Sequence, residues 1–408
     1  MGGGLLQLVA YGAQDAYLSG NPQITFWRGL FKRHTNFAME PFRVNLTGQA
    51  NWGTKHSAIL GRHADLVGPA YIELEMPDDV NNTLVYSVND YKAGFNLIEY
   101  VELDIGGQVI DRQYGEFLAI WSKLSLSTTQ INNLNEINSV SNQPNDPCSA
   151  TGRAARGNIT YIPLSFWFCR NPGAALPLIA LQYHEVKINI LWNKPSLIFN
   201  PYNNATASLA GPAQANLLVD YIYLDVEERR RMAQESHEYL IEQTQFNEDK
   251  GLTSAQNRVD LTFNHPVKEL IWVTQKTARK DCRINGGLDV LPLDYDDIIY
   301  DCTLQLNGQD RMQPLPAKYF NAVQPFQHHT GEHQSGVYMY SFAIKPEEHQ
   351  PSGTCNFSRI DTATLVFSVD GSVPINNLDV NNYDIRVYAI NYNILRVMSG
   401  MGGLAYSN

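Results

Sequence analysis

The sequence is short of charged residues, which make up 17% of its 408 positions, whereas about 25% is usual in soluble domains. A surface with so few charges is often covered by partner molecules, so this composition favours an assembly over a free monomer. The net charge of -11 argues against a nucleic-acid-binding protein, because an acidic surface repels the phosphate backbone. We therefore expect protein partners and no direct contact with nucleic acid.

Cysteines are also few and widely spaced. The five that are present form no CxxC pair, so the pattern indicates no disulfide framework and favours a reducing compartment. The sequence contains no run of 18 apolar residues, and no transmembrane helix is predicted. The N-terminal segment MGGGLL lacks the basic start of a secretory signal peptide.

Motifs that carry catalysis are missing as well. The sequence has no GxSxG elbow, phosphate loop, GxGxxG or HExxH motif. Glu73 and Glu75 are two positions apart in a predicted strand and so share one face, which is typical of the solvent side of a half-buried strand. Asp294, Asp296 and Asp297 resemble part of a calcium loop but lack its glycine and closing glutamate. We predict no enzyme activity and no cofactor.

A histidine-rich segment is the strongest metal candidate, and it comprises His328, His329, Glu332 and His333. A zinc site needs three or four converging ligands. This segment is polar, contains glycine and has no second histidine or cysteine group near it in sequence. We favour a solvated loop and predict no metal site, with metal binding left open as the alternative.

Alternating apolar residues dominate the rest of the chain. Segments such as Ala70–Met76 and Tyr100–Ile105 have a period of two and are bounded by glycine, proline or asparagine. This pattern predicts antiparallel strands with one buried face, while sustained helical periodicity is nearly absent. A chain of this length is expected to form two domains of roughly 200 residues each.

A weak internal match supports two domains of the same kind. Val101–Gln108 aligns with Cys302–Gln309, so that Gly107 corresponds to Gly308, 201 positions later (308 minus 107). Both copies are a strand entering a glycine-containing hairpin turn. About seven strands per half with long connections favour the jelly roll, which has eight strands in two sheets. An immunoglobulin-like sandwich needs only about 100 residues.

The stretch Asp220–Gln243 is interpreted as the joint between the two halves. A strand ends at Asp225, which is predicted to cap a short helix with Glu228 three residues on, and strand-like alternation resumes at Tyr239. The longest connection, Ser127–Asn158, is polar and is expected to face outward. The predicted divisions are an N-terminal arm (1–35), a first jelly roll (36–225), a linking helix (226–237), a second jelly roll (238–400) and a C-terminal tail (401–408).

A basic cluster ends the arm and consists of Arg28, Lys32, Arg33 and His34. The favoured interpretation is a solvated helix end near free carbonyls. The alternative is a contact with an acidic partner or a membrane surface.

Five N-x-S/T sequons are candidate glycosylation sites. They are found at Asn45, Asn81, Asn158, Asn204 and Asn356. Without a secretion signal we interpret them as chance matches in an asparagine-rich chain.

Several long stretches resemble the major capsid proteins of nucleocytoplasmic large DNA viruses, the group that includes algal and amoebal viruses. The resemblance is spread from one terminus to the other. It is carried by Ala10–Trp27, Leu176–Ile188, Asp220–Gln243, Asn356–Asp361 and Arg396–Asn408.

This resemblance implies an all-β double jelly roll, with two consecutive eight-stranded antiparallel barrels, whose homotrimer is a pseudo-hexameric capsomer. Such capsomers tile an icosahedral shell around an internal membrane and a DNA core, and the shell is assembled in the host cytoplasm. The implied partners are neighbouring capsomers, minor capsid proteins and penton proteins. The arm would lie at the inner base, which makes the basic cluster a candidate contact with minor capsid proteins or anionic lipid.

Two other classes of protein use the same fold. Jelly rolls also form lectins and cupins, so a glycan-binding protein or glycosidase is one alternative. Such a protein needs a convergent site of carboxylates, metal or exposed aromatic rings, and the sequence shows none. A penton-type minor capsid protein is the other alternative, and the internal duplication argues against it because those proteins usually have one barrel.

Overall fold

The computed structural model describes residues 2–27, 32–48, 50–75, 91–138, 159–198, 212, 214–252, 254–277, 293–371 and 383–406. The chain divides into two units, Met1–Phe37 and Ala38–Asn408. The smaller unit contains two short helices, α1 (Gly3–Val9) and α2 (Asp15–Ser19), and neither helix has a buried residue.

Eight strands form two four-stranded sheets in the first half of the larger unit. Their order is β1-β8-β3-β6 in one sheet and β2-β7-β4-β5 in the other. The strands are β1 (Phe37–Asn45), β2 (Lys55–Ile59), β3 (Leu66–Glu75), β4 (Ile98–Ile105), β5 (Gln108–Tyr114), β6 (Ile159–Pro163), β7 (Val186–Trp192) and β8 (Gln214–Leu224).

This order is that of a long hairpin rolled onto itself. Each strand pairs with its counterpart from the opposite end of the series: β1 with β8, β2 with β7, β3 with β6, and β4 with β5. The pairings of β2 with β7, of β3 with β6 and β8, and of β4 with β5 and β7 are all antiparallel. The result is a jelly roll, in which the two sheets face each other across one core.

The second half repeats the same order. Its two sheets contain the paths β10-β17-β12-β13 and β9-β18-β11-β15, with three short extra strands. The strands are β9 (His237–Leu252), β10 (Gln256–Asp260), β11 (Pro266–Lys276), β12 (Ile299–Leu306), β13 (Gln309–Asp310), β14 (Leu315–Pro316), β15 (Val337–Ser341), β16 (Cys355–Asn356), β17 (Ala363–Val369), β18 (Tyr383–Met398) and β19 (Met401–Leu404). The predicted double jelly roll is confirmed.

The internal sequence match falls on equivalent turns. Gly106 and Gly107 connect β4 to β5, and Asn307 and Gly308 connect β12 to β13. All four residues have positive φ angles, between 51° and 86°. Two successive positive φ angles define the turn that fits the twist of a two-residue hairpin, and glycine and asparagine adopt them at little cost.

Seven further α-helices lie in the connections within the described ranges, which is more helix than the sequence indicated. They are α3 (Lys92–Asn96), α4 (Gly115–Ser125), α5 (Thr128–Asn138), α6 (Trp167–Arg170), α7 (Pro195–Ile198), α8 (Val226–Gln234) and α9 (Gln324–His328). A π-helical turn at Tyr319–Val323 leads directly into α9. No helix in the described part of the chain is long and apolar enough to cross a bilayer.

Two of these helices differ from expectation. Helix α4 was missed because its side chains are buried on two sides, so it lacks the polar stripe that marks a surface helix. Helix α5 occupies the start of the connection Ser127–Asn158, for which the sequence predicted an outward-facing polar segment and no helix. Residues 139–158 of that connection lie outside the described residues.

Helix α8 lies where the sequence places the joint. Asp225 caps it as predicted, with the Val226 backbone N–H donating to Oδ1 over 2.8 Å. An ion pair on its surface joins Arg231 to Glu235 over 3.1 Å. Strand β9 begins three residues after the helix ends. The predicted C-terminal tail contains β19, which pairs with the end of β18.

Candidate functional site: the contact between the two jelly rolls

Helix α4 of the first jelly roll packs against the outer face of a sheet in the second. Its buried residues Phe117, Ile120, Trp121 and Leu124 join one apolar cluster with residues of that sheet. The sheet contributes Ile271 and Val273 from β11, Val337 and Met339 from β15, and Tyr388 and Ile390 from β18. We call this contact the inter-barrel interface.

The receiving sheet is buried on both faces. Nine consecutive residues of β11 and eleven of β18 are buried, whereas β17 on the other sheet alternates between buried and partly exposed positions. In β11, Leu270 and Trp272 face the core of the second jelly roll, and Ile271 and Val273 face α4. A strand that is covered on both faces is buried along a continuous run of residues. Such strands are nearly continuously apolar in sequence, so β11 and β18 could have been recognised by this pattern.

A buried ion pair crosses the inter-barrel interface beside the apolar cluster. Arg386 of β18 donates from Nη2 to Oε1 of Glu116 on α4 over 2.5 Å and to Gln275 Oε1 over 2.7 Å. The Tyr388 hydroxyl donates to the other oxygen of Glu116. Burial opposes the charge on Arg386, but the carboxylate of Glu116 outweighs it and raises the pKa of the guanidinium.

A second charged group lies at the other edge of α4. Glu242 of β9 accepts from Lys268 Nζ over 2.7 Å and pairs with Arg170 Nη1 over 2.9 Å. Both cations also lie over the ring of Trp121, within 6 Å of its centroid. Burial raises the pKa of Glu242, but the two cations outweigh it and hold that pKa below its ordinary value. Burial lowers the pKa of Lys268 in spite of Glu242.

Strand β5 is held against β9 by a buried carboxylate. The backbone N–H of Thr244 donates to Asp111 Oδ1 over 2.9 Å, and Gln113 Nε2 donates to Oδ2 over 3.0 Å. Gln243 also donates its side-chain amide to the carbonyl of Ile110. Burial raises the pKa of Asp111 to about 6, against these hydrogen bonds.

The histidine-rich segment closes the inter-barrel interface at the C-terminal end of α4. The Gly331 N–H donates to the Leu124 carbonyl over 2.7 Å, and Thr330 Oγ1 donates to the Ser125 carbonyl over 2.8 Å. Lys123 Nζ pairs with Glu332 over 2.6 Å. The segment therefore fixes the first jelly roll to the second and is not a freely solvated loop.

His329 is the central residue of this segment. Its Nε2 lies 3.0 Å from Glu269 and its Nδ1 lies 2.9 Å from Glu347. Burial disfavours its charge, but the two carboxylates outweigh that effect and raise its pKa to about 9. His329 is therefore an imidazolium with both nitrogens donating, which leaves it no lone pair for a metal.

The other metal candidates have structural partners too. His328 Nδ1 lies 3.0 Å from the Ile344 carbonyl oxygen, and Asp294 pairs with Lys92 over 2.7 Å. Asp296 Oδ2 accepts from the Lys276 N–H over 3.1 Å, and Asp297 accepts from the Tyr338 hydroxyl. Within the described ranges, no three histidine, cysteine or acidic side chains converge as a metal site.

Comparisons with known proteins agree with this architecture. A family model described as "Large eukaryotic DNA virus major capsid protein" matches residues 228–403, and one described as "Major capsid protein N-terminus" matches residues 25–225. The chain belongs to this family of viral major capsid proteins. The major capsid proteins of Pyramimonas orientalis virus and Phaeocystis pouchetii virus are 45% and 41% identical to it, over the full length of both chains.

A solved structure extends the comparison to the fold. The crystal structure of VP54 from the virus PBCV-1 superposes with a TM-score of 0.78 at 34% identity, covering 94% of this chain and 100% of that chain. The resemblance found in the sequence is thereby confirmed. As a major capsid protein of a large DNA virus, the chain is a structural component of the virion shell and not an enzyme.

The predicted contact residues of this capsid protein lie at the end of the smaller unit. Lys32, Arg33 and His34 are exposed, and His34 Nδ1 lies 2.9 Å from the Thr35 carbonyl oxygen. Arg28 lies outside the described residues. A contact between these basic residues and a partner therefore stays a prediction.

The sequons are only partly covered by the structure. Asn45 is exposed at the end of β1. Asn356 is also exposed, but its Oδ1 accepts from the Ser358 N–H over 3.0 Å, so its amide is part of a turn. Asn81, Asn158 and Asn204 lie outside the described residues.

Sequence reasoning singled out the histidine-rich segment and Asp294 as metal candidates, but it missed the buried charges that bridge the inter-barrel interface. Glu116, Arg170, Lys268 and Arg386 are charged residues that look like solvent-facing positions in sequence, although Lys268 is fully buried. The usable signal was charge interrupting an otherwise continuous apolar strand, as in VKELIWV and DIRVYAI. A charge in such a position implies a buried partner elsewhere in the chain.

Proposed function

We propose that three copies of this chain form one pseudo-hexameric capsomer of an icosahedral shell. The observation that carries the proposal is the fixed pairing of two jelly rolls of the same strand order within one chain. A closed ring on a hexagonal lattice needs six similar blocks. Three chains of two barrels supply six blocks through a three-fold axis.

The inter-barrel interface supports this function because it holds the two blocks rigidly. Its apolar cluster is flanked on both sides by ion pairs that join the two barrels, Glu116 with Arg386 and Arg170 with Glu242. Removing one partner of such a pair is costly, so these contacts specify one relative orientation of the barrels. A fixed angle between blocks is what a regular lattice requires.

The division of the chain follows from the same proposal. We take residues 36–225 and 238–400 as the two blocks, 226–237 as the linking helix, 1–35 as an arm and 401–408 as a tail. The linking helix α8 (Val226–Gln234), between the two sets of strands, supports the central boundaries.

The arm is proposed to face inward. Its exposed apolar side chains include Leu8, Leu18 and Trp27, and its basic cluster follows directly. This combination suits a contact with minor capsid proteins or with the anionic surface of an internal membrane. Capsomers would pack against neighbouring capsomers and penton proteins, around the membrane and the DNA core.

Assembly is proposed to take place in the host cytoplasm. Cys169, Cys302 and Cys355 are free thiols, which suits a reducing compartment. Burial raises the pKa of Cys169 to about 12, so that thiol stays protonated and unreactive.

Light scattering of the purified protein tests the trimer. The expected mass is three times 45.9 kDa, and a mass of one chain at micromolar concentration would refute it. For the arm, the variant Arg28→Ala/Lys32→Ala/Arg33→Ala should keep the trimer mass but lose co-sedimentation with anionic vesicles. Unchanged vesicle binding and normal particle yield would refute the inward contact.

A further inference from the structure

The inter-barrel interface joins two different surfaces. The first jelly roll contributes a helix between its fifth and sixth strands, and the second contributes the outer face of the sheet that contains β9, β18, β11 and β15. A contact of this kind is head-to-tail. It leaves one unused helix surface on the second jelly roll and one unused sheet surface on the first.

The second jelly roll has a helix at the equivalent place in its sequence. The π-helical turn Tyr319–Val323 and α9 lie between β14 and β15, as α4 lies between β5 and β6. Phe320 packs into the core of the second jelly roll, just as Leu118 packs into the core of the first. The two helices can therefore be aligned on these two buried residues.

This alignment places two exposed apolar residues at interface positions. Val323 and Phe326 stand three and six residues after Phe320, as Trp121 and Leu124 stand after Leu118. Trp121 and Leu124 are buried in the inter-barrel interface, whereas Val323 and Phe326 are 37% and 89% exposed. We call Val323 and Phe326 the donor helix surface.

The first jelly roll has a sheet with the equivalent strand order, β1-β8-β3-β6. In register, Ile159 pairs with Glu75 of β3, and Val337 pairs with Val273 of β11. Ile159 is 41% exposed, whereas its equivalent Val337 is 2% exposed because α4 covers it.

A row of partly exposed apolar side chains follows on the same face. Tyr71 of β3 is in register with Pro163 on one side and Leu218 on the other, and all three are partly exposed. We call the face that carries Ile159, Tyr71, Pro163 and Leu218 the acceptor sheet surface.

Charges on the two surfaces are complementary, with the signs exchanged relative to the inter-barrel interface. Lys318 takes the helix position that Glu116 occupies on α4. On the sheet, Glu75 and Gln214 are in register and take the positions of Val273 and Arg386. The pairing of Glu116 on the helix with Arg386 on the sheet is thus replaced by Lys318 on the helix facing Glu75 on the sheet.

We propose that the donor helix surface of one chain docks on the acceptor sheet surface of a second copy, with Lys318 facing Glu75. The contact between chains then repeats the contact within the chain, and the ring closes when six equal steps return to the start. This inference rests on the proposed trimer, and it names the surfaces that form it.

Two substitutions at exposed positions test the surfaces. Phe326→Asp and Ile159→Asp should each convert the trimer to monomer in sedimentation velocity, because each places a charge in an apolar contact. Tyr300→Asp is the control, since Tyr300 is 66% exposed on β12, outside both surfaces. Circular dichroism and the thermal midpoint of the isolated monomers verify that each variant is folded.

Mixing the two variants tests the head-to-tail geometry. Phe326→Asp keeps an intact acceptor sheet surface and Ile159→Asp keeps an intact donor helix surface, so the mixture should form a one-to-one dimer that neither variant forms alone. Lys318→Glu and Glu75→Lys should each weaken the trimer several-fold, and the double variant should restore it.

The outcomes separate this inference from the proposed function. If the wild-type chain is a trimer and either aspartate variant stays trimeric, the trimer stands and the assigned surfaces are wrong. A mixture that stays monomeric, or a charge exchange that fails to restore assembly, also overturns the assignment. A monomeric wild-type chain instead overturns the proposed function.

Discussion

Arg386 Nη2 lies 2.5 Å from Glu116 Oε1, and this contact joins a strand of the second jelly roll to a helix of the first. The two residues are 270 positions apart in sequence. Both side chains are largely buried. Arg386 also donates to Gln275, and Glu116 also accepts from the Tyr388 hydroxyl. The relative orientation of the barrels therefore depends on a small number of buried polar contacts around α4.

Replacing Glu116 with glutamine should destabilise the protein strongly. The guanidinium of Arg386 would remain buried without a counter-charge, and breaking such a pair typically costs about 3–5 kcal/mol. The free energy of unfolding in urea measures the effect. The matched control is Glu238→Gln, whose partner Arg396 is more than half exposed, and its cost should be below about 1 kcal/mol. Equal effects of the two substitutions would contradict the importance of the buried pair.

His329 should make the inter-barrel interface sensitive to alkaline pH. Its pKa is raised from 6.5 to about 9 in the folded protein, because Glu269 and Glu347 face its two nitrogens and outweigh burial. Its contribution to stability is therefore complete below about pH 6.5 and is lost as the pH rises through about 9. The whole contribution of this pKa shift to the free energy of unfolding is about 3 kcal/mol.

Thermal midpoints of the wild-type protein and of His329→Gln, measured from pH 6 to pH 10, isolate this contribution. The wild type should be the more stable at pH 6, and the gap between the two should close by pH 10. A gap that is independent of pH would show that His329 does not carry the proton that the contact requires.

Asp111 should show the same sign of pH dependence as His329, but in a more acidic window. Burial raises its pKa from 3.8 to about 6, so the folded protein binds more protons than the unfolded chain between these values. Stability then falls as the pH rises through this window, by about 3 kcal/mol in total. Asp111→Asn keeps the acceptor for the Thr244 N–H, and its stability relative to the wild type should rise between pH 4 and pH 7. Asp361→Asn, at an exposed position, is the control and should show no such trend.

Gly331 should not tolerate a side chain. A Cβ at this position would lie 2.2 Å from the carbonyl oxygen of Lys123 and 2.5 Å from that of Leu124, so the histidine-rich segment would have to move away from α4. Gly331→Ala is expected to cost about 1–3 kcal/mol and to lose the hydrogen bond to Leu124. Gly371→Ala is the control, because no atom lies within 4 Å of a Cβ there. Hydrogen exchange at the Gly331 amide measures the loss, and unchanged protection would contradict it.

The sequence contained enough information for the fold of each half. Alternating strands and the repeated hairpin at Gly107 and Gly308 are local patterns, and local patterns are readable without a structure. The duplicated jelly roll could therefore be derived, and the resemblance to a viral family named the same architecture.

The inter-barrel interface could not be derived, because it depends on pairs that are distant in sequence. Helix α4 is apolar on the side of each barrel, and this gives no amphipathic stripe. His329 looked like a residue of a polar loop, and only the fold brings Glu269 and Glu347 to its two nitrogens. A buried charge can be identified only when its partner is known, and a single sequence does not show which residues become partners in the fold.

The most direct test of the account is the mass of the purified chain in solution, measured by multi-angle light scattering at micromolar concentration. Two barrels of the same topology, held at a fixed angle in one chain, predict a particle of three chains, or three times 45.9 kDa. A particle with the mass of a single chain, stable over the same concentration range, would contradict the account.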